Sequence, residues 1–181
     1  MIFHPTPLAG VWLIEPQPMA DRRGFFARTF CAREFAQRGL NAQLSQCSIS
    51  HNRRRGVLRG LHYQAQPLPE AKLVRCSRGR IFDVAVDLRP ASPTRGQWFA
   101  AELDADNRRA LYIPEGCAHG FQTLVDDSEV FYQISADYRP QLSRGIRWDD
   151  PTLAIRWPLP GSAILSERDR TLPLLQEVLP C

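Results

Sequence analysis

Long apolar runs are missing from this chain. No stretch of about 18 apolar residues occurs in its 181 residues, so no membrane-spanning helix is expected. The N-terminus lacks a Lys/Arg segment followed by an apolar core, so no signal peptide is expected either. A cysteine framework is also missing. The five cysteines, Cys31, Cys47, Cys76, Cys117 and Cys181, are odd in number and widely spaced, with no Cys-x-x-Cys. That argues against disulfides and against a zinc site, and for a reducing cytoplasm. Lysine is scarce: arginine greatly outnumbers it, and the net charge is +4. Such a balance suits anionic ligands without choosing among them. The one basic run, Arg53–Arg55, lacks interleaved aromatics and any recognised motif. It reads as a solvated loop tip, and neither a nucleic-acid nor a membrane partner is expected.

What is present is an ordinary globular composition, 44% hydrophobic and 23% charged, long enough for one domain over residues 1–181. Repeats, low-complexity tracts and linkers are absent. Fifteen prolines and eleven glycines punctuate many short apolar runs. That spacing predicts an all-β sandwich or barrel with a few short helices. Strands are expected over Val11–Glu15, Val57–Gln64, Lys72–Ser77, Arg80–Leu88, Trp98–Leu103, Arg109–Ile113, His119–Thr123 and Ser128–Ala136. "IFDVAVDLR" alternates Ile81, Asp83, Ala85 and Asp87 against Phe82, Val84, Val86 and Leu88. The second set reads as the apolar face of a strand. Helices are expected at Ala32–Arg38, closed by Gly39, and at Leu172–Val178. Closing eight or more antiparallel strands into a barrel removes exposed edges and leaves a mouth suited to a small molecule.

Several strands carry polar residues. In "GVLRGLHYQ", Arg59 and His62 have opposite parity, so a regular strand would send them to opposite faces. Gly60 lies between them, and a bulge there would bring both to the lumen. Lys72 opens "KLVRC" and reads either as a solvated strand end or as a fixed cation at the barrel mouth. Tyr132 in "FYQIS" reads as a core aromatic or a proton donor. "LSERD" supplies Glu167, Arg168 and Asp169 at a charged turn or helix start. Pro114-x-Gly116-x-x-His119 looks like the second motif of the cupin barrels, whose first motif usually brings His-x-His and a Glu. Here the matching region offers only His62. With His4 and His51 the only others, a three-His site is not expected, and acid–base side chains must carry any chemistry.

The segments "DRRGFF", "GVLRGLHYQ", "AKLVRC", "IFDVAVDLRPASPTRGQW", "LYIPEGCAHGF", "SEVFY", "GIRWDDP" and "LSERD" follow one another from about Asp21 to Asp169. Together they resemble the dTDP-4-dehydrorhamnose 3,5-epimerase family of deoxysugar biosynthesis. The resemblance implies a cupin-type antiparallel β-barrel, or jelly roll, normally a homodimer. It also implies cofactor-independent epimerisation of a nucleotide-linked 4-keto-6-deoxyhexose. It places the catalytic base on His62, its carboxylate partner on Asp169, the opposing proton donor on Tyr132 and the carbonyl-side lysine on Lys72. Substrate contacts fall on Arg23, Phe26, Gln46, Arg59, His119, Tyr138 and Arg168, and no metal is implied. In the family the N-terminal arm often reaches across the dimer.

Three departures accompany the match. Arg28 stands near the place of a family Glu, Ser143 replaces another Glu, and Ser48 replaces an Asn. The proton-transfer set is complete, while part of the substrate-binding set is altered. An enzyme inverting only C3 or C5, or using another nucleotide sugar, is therefore an alternative within the class. A catalytically silent sugar-nucleotide-binding barrel is an alternative outside it.

Overall fold

A computed structural model describes residues 1–178. Cys181 lies outside the described residues. The early strands are β1 (Ile2–Pro5), β2 (Trp12–Glu15), β3 (Met19–Asp21), β4 (Gly24–Phe26) and β5 (Gln46–Asn52). The central strands are β6 (Leu58–Gln64), β7 (Lys72–Arg78), β8 (Arg80–Asp87) and β9 (Trp98–Asp104). The chain then forms β10 (Ala110–Ile113), β11 (Cys117–Thr123), β12 (Ser128–Ile134) and β13 (Ser143–Gly145). Three short α-helices accompany them, α1 (Ala32–Ala36), α2 (Glu167–Arg170) and α3 (Leu175–Val178), with 3-10 turns at Pro140–Leu142 and Pro160–Ser162.

These strands make a six-stranded sheet ordered β1-β2-β10-β7-β12-β5 and a five-stranded sheet ordered β13-β6-β11-β8-β9. Pairing within both is antiparallel, and β3 with β4 forms a separate hairpin. This is the all-β cupin-type jelly roll. Between the two sheets lies an apolar core that includes Val74, Ile81, Ala85, Leu111, Phe121 and Val130. A second cluster, with Leu61, Val84, Val86, Ile146, Trp157 and Leu175, buries the outer face of the five-stranded sheet under the C-terminal segment. A third packs Phe35 of α1 against Ile14, Leu73 and Tyr112 on the outside of the six-stranded sheet.

That layering explains β8. The apolar set Phe82, Val84, Val86 and Leu88 does not face the barrel interior; it packs under the C-terminal segment. The mixed set faces the interior, where Ile81 and Ala85 join the core and Asp83 is fully buried. A strand covered on both faces leaves its lumen side free for a polar residue that has a partner.

The expected strands form with ends shifted by one or two residues, while β1, β3, β4, β5 and β13 add to them. β5 reads "QCSISHN". It is an open edge, mostly exposed, so burial imposes no apolar period on it. The first helix stops at Ala36, two residues short of the expected Arg38, and its C-cap is Gln37, not Gly39; Gly39, with φ +68°, ends the turn that follows, its N–H donated to Ala36 O. The C-terminal helix starts at Leu175 instead of Leu172. The reason is local: Pro173 O accepts from Arg147 N–H and is engaged outside the helix. Among the described residues no helix is long and apolar enough to cross a membrane.

Candidate active site

The site begins with one extra residue. Along β11, His119 and Phe121 lie two apart, yet their partners on β6, His62 and Arg59, lie three apart. This is a β-bulge, and it cancels the opposite parity of Arg59 and His62. Gly60 occupies the extra position with φ +141°. A Cβ there would fall 2.5 Å from Gly120 Cα, so only glycine fits. Arg59 and His62 consequently line the same cleft, a space of about 450 Å³.

Both sheets wall this cleft. The five-stranded sheet contributes Arg59, His62, Tyr63, Gln64, His119 and Ser143. The six-stranded sheet contributes Ser48, Ile49, Ser50, Lys72, Tyr132 and Ile134. Ser166, Arg168 and Asp169 come from the α2 region, and Tyr138 from the loop after β12.

α2 aims the carboxylate. Ser166 is its N-cap, and Ser166 Oγ accepts from Asp169 N–H. The Asp169 side chain turns inward, with Oδ1 2.6 Å from His62 Nε2. Burial pushes the Asp169 carboxyl up. Hydrogen bonds from His62, Ser166 and the Gly60 N–H outweigh that and hold it below its ordinary 3.8. An ionised carboxylate only accepts, so His62 donates from Nε2, and in the neutral ring that leaves the lone pair on Nδ1. Nδ1 makes no side-chain hydrogen bond among the described residues, and the His62 side chain is 33% exposed.

Tyr132 lies on the other sheet, edge-on to the His119 ring at 5.7 Å between centroids. Burial pushes its phenol well up and the Asp83 charge adds to this, against a smaller opposite pull from Arg59. The phenol therefore stays protonated at neutral pH. Lys72 is buried in the wall, with Nζ 3.0 Å from Glu70 Oε1 and donating to His62 O at 3.2 Å. Arg59 donates from Nε to Asn52 Oδ1. Arg168 donates to Ser143 Oγ at 2.7 Å. Neither arginine pairs with a carboxylate among the described residues, so both present unneutralised charge at the mouth.

Eight of the residues expected at a site therefore share this cleft: Arg59, His62, Lys72, His119, Tyr132, Tyr138, Arg168 and Asp169. Three do not line it. Gln46 sits beside it, its Oε1 accepting from Tyr138 N–H. Arg23 and Phe26 lie on the β3–β4 hairpin around a separate shallow hollow, and Arg23 is tied to Asp21 at 2.5 Å. The hairpin pairs with neither sheet, and among the described residues neither side chain lines the cleft. His119 occupies the wall in a buried form, its Nε2 2.7 Å from Asp83 Oδ1.

Sequence reasoning missed Glu70, Asp83, Ser166 and Asn52. Asp83 left a trace as a charge in the middle of a mostly apolar strand. The others belong to loops or edges with no periodic signal. Of the departing residues, Ser48 and Ser143 line the cleft, while Arg28 is occupied by Glu34 at 3.4 Å. Among the described residues no three His, Cys, Asp or Glu side chains are grouped to hold a metal.

A base held by an ionised carboxylate, a protonated phenol and a buried ammonium on one cleft make a set for acid–base chemistry. The family model for dTDP-4-dehydrorhamnose 3,5-epimerase matches residues 5–177. A dTDP-4-dehydrorhamnose 3,5-epimerase from Methanothermobacter thermautotrophicus is 46% identical over 97% of this chain and 95% of its own. The crystal structure of dTDP-6-deoxy-D-glucose-3,5-epimerase from Legionella pneumophila, in complex with dTDP-4-keto-L-rhamnose, is 39% identical with a TM-score of 0.91. It aligns over 99% of this chain and 97% of its own. A 3'-monoepimerase from Streptomyces bikiniensis, in complex with dTDP-quinovose, is 35% identical with a TM-score of 0.89, over 97% and 90% of the two chains. The chain belongs to the dTDP-4-dehydrorhamnose 3,5-epimerase family, and it is an epimerase of the isomerase class.

Proposed function

We propose that this cleft epimerises dTDP-4-dehydro-6-deoxy-D-glucose at C3 and C5, giving dTDP-4-dehydro-L-rhamnose. The observation that carries this reading is the His62–Asp169 pair on a cleft whose opposite sheet holds a protonated Tyr132.

Both C3 and C5 flank the C4 ketone, so loss of either hydrogen is eased by enolate formation. His62 Nδ1 takes the proton, and Asp169 orients the ring and stabilises the imidazolium that results. Lys72 offsets the negative charge developing on the C4 oxygen, a contribution that is often the largest in such reactions. Tyr132 returns a proton to the other face, which inverts the centre. Arg59 and Arg168, the two unneutralised cations, hold the diphosphate, with guanidinium geometry matched to phosphate oxygens. Tyr138 and the β5 edge bound the nucleotide end.

The protein functions as a homodimer in this reading, in the cytoplasm. Support for the dimer is the open β5 edge with Ile49 62% exposed, together with the exposed Met19, Phe25 and Phe26 of the hairpin. A partner chain would also bring Arg23 and Phe26 to a cleft they do not reach in their own. Free cysteines at 31, 47, 76 and 117 suit a reducing compartment.

Incubation with dTDP-4-keto-6-deoxyglucose in D₂O tests the reaction. Deuterium at both C3 and C5 is expected. Deuterium at one centre would instead favour the narrower reading, to which the similarity with a 3'-monoepimerase gives weight. Tight binding without exchange would leave a silent binding barrel.

A further inference from the structure

Glu70 belongs to no motif in the chain, yet it is the sole carboxylate on Lys72 among the described residues. The two side chains are 10% and 9% exposed, and both line the cleft. Lys72 is also the only lysine in the sequence.

We propose that Glu70 is a positioning residue that aims the Lys72 ammonium at the substrate's carbonyl oxygen. This rests on the reading of the cleft as an epimerase site. An ammonium has three N–H donors and a flexible four-carbon stem. Two donors are spoken for: Glu70 Oε1 at 3.0 Å and His62 O at 3.2 Å. Both acceptors belong to the cleft wall, so the third donor is the one left for an oxygen in the cleft. Without Glu70 a single backbone carbonyl would anchor the stem, and a buried cation would lack its countercharge.

Glu70 is itself held firmly. It lies in the connector of residues 65–71 between β6 and β7. Gln64, the last residue of β6, donates from Nε2 to Leu68 O and to Asp137 O, and its Oε1 accepts from Arg139 N–H. Ala71 N–H is bound by Ser135 Oγ at 2.8 Å. The connector is thus tied on both sides of Glu70. Its carboxylate arrives as a fixed point against which a mobile lysine is set. The tie to His62 O links the cation to the strand that carries the base.

Steady-state kinetics, a double-mutant cycle and one spectroscopic readout test this. Glu70→Ala is expected to lower kcat about 10²-fold, the cost of a misplaced catalytic group, with KM changed by less than about threefold. Glu70→Gln keeps an acceptor in place and is expected to recover about tenfold of that loss. In a Lys72→Met background, Glu70→Ala is expected to have no further effect, because the two act as one unit. An equal loss in both backgrounds would overturn the proposal. ¹⁵N-lysine labelling gives one side-chain resonance, from Lys72. Glu70→Gln, the milder change should Glu70→Ala not fold, is expected to shift that resonance and speed its hydrogen exchange. An unmoved resonance would also overturn the proposal. If the wild-type protein shows no deuterium exchange on the nucleotide sugar, the epimerase reading fails. The resonance then still decides whether Glu70 holds the lysine.

Discussion

Two histidines sit across from each other on neighbouring strands, and each has a carboxylate on its Nε2. His62 and His119 are register partners between β6 and β11. Asp169 stands 2.6 Å from the first and Asp83 2.7 Å from the second. Their surroundings separate them. The His62 side chain is 33% exposed, and its carboxylate comes from α2, far along the chain. The His119 side chain is 5% exposed, and its carboxylate comes from the adjacent strand of the same sheet. The same pair of residue types therefore lies open to the cleft in one place, where the proposed reaction uses it as the base, and is walled in at the other. Exposure decides: a proton taken from substrate needs a nitrogen that substrate can reach. His119 instead packs against Tyr132, and Asp83 adds its charge to the burial that keeps Tyr132 protonated.

That contrast can be broken by substitution. His62→Asn is expected to lower the rate of deuterium incorporation by about 10³-fold, near the middle of the range for a positioned base, with the far-UV spectrum unchanged. Tyr132→Phe is expected to reduce formation of inverted product about 10²-fold while sparing more of the solvent exchange, since abstraction precedes reprotonation. Chiral analysis of product beside mass analysis of recovered substrate would show the split. Asp169→Asn removes the orienting charge but leaves the imidazole, and a fall in kcat of about 10²-fold is expected. On the buried side the readout moves from rate to stability. Asp83→Asn is expected to cost about 2 kcal/mol in denaturant unfolding, the scale of a charge-assisted buried hydrogen bond, with a smaller loss of kcat than Asp169→Asn. If Asp83→Asn stopped exchange as fully as His62→Asn, the distinction between reagent and wall would fall.

The smallest effect concerns pH. Asp169 has its carboxyl held below the ordinary 3.8 in the folded protein. Its stabilising contribution is therefore complete above that value and is lost as pH falls through the lower folded value. Unfolding curves of wild type and Asp169→Asn should converge as the pH drops below about 3.8, and keep a constant separation if the carboxyl titrates normally.

Much of this was legible in the sequence. The central strands were legible because burial forces a period of two or a continuous apolar run. Gly60 was legible because a strand interior rarely offers a place without a side chain, and Arg59 and His62 flanked it with the wrong parity. The pairing of His62 with Asp169 came from resemblance. Nothing in the local sequence joins two residues 107 positions apart, and the join depends on Ser166 capping a single helical turn. β5 was not legible, since an open edge needs no apolar alternation. Glu70 was not legible either, because a connector residue gains meaning only when its loop is tied down beside a lysine.

The sequence by itself determined the barrel class, the bend at Gly60 and the residue types available for proton transfer. Local sterics and alternation are written in neighbouring residues. Tertiary structure decided which histidine is open and which is walled in, and which carboxylate restrains the only lysine. It also decided that Arg23 and Phe26 stand apart from the cleft of their own chain. Those outcomes depend on burial and on distances between distant segments, quantities that exist only once the two sheets have closed on each other.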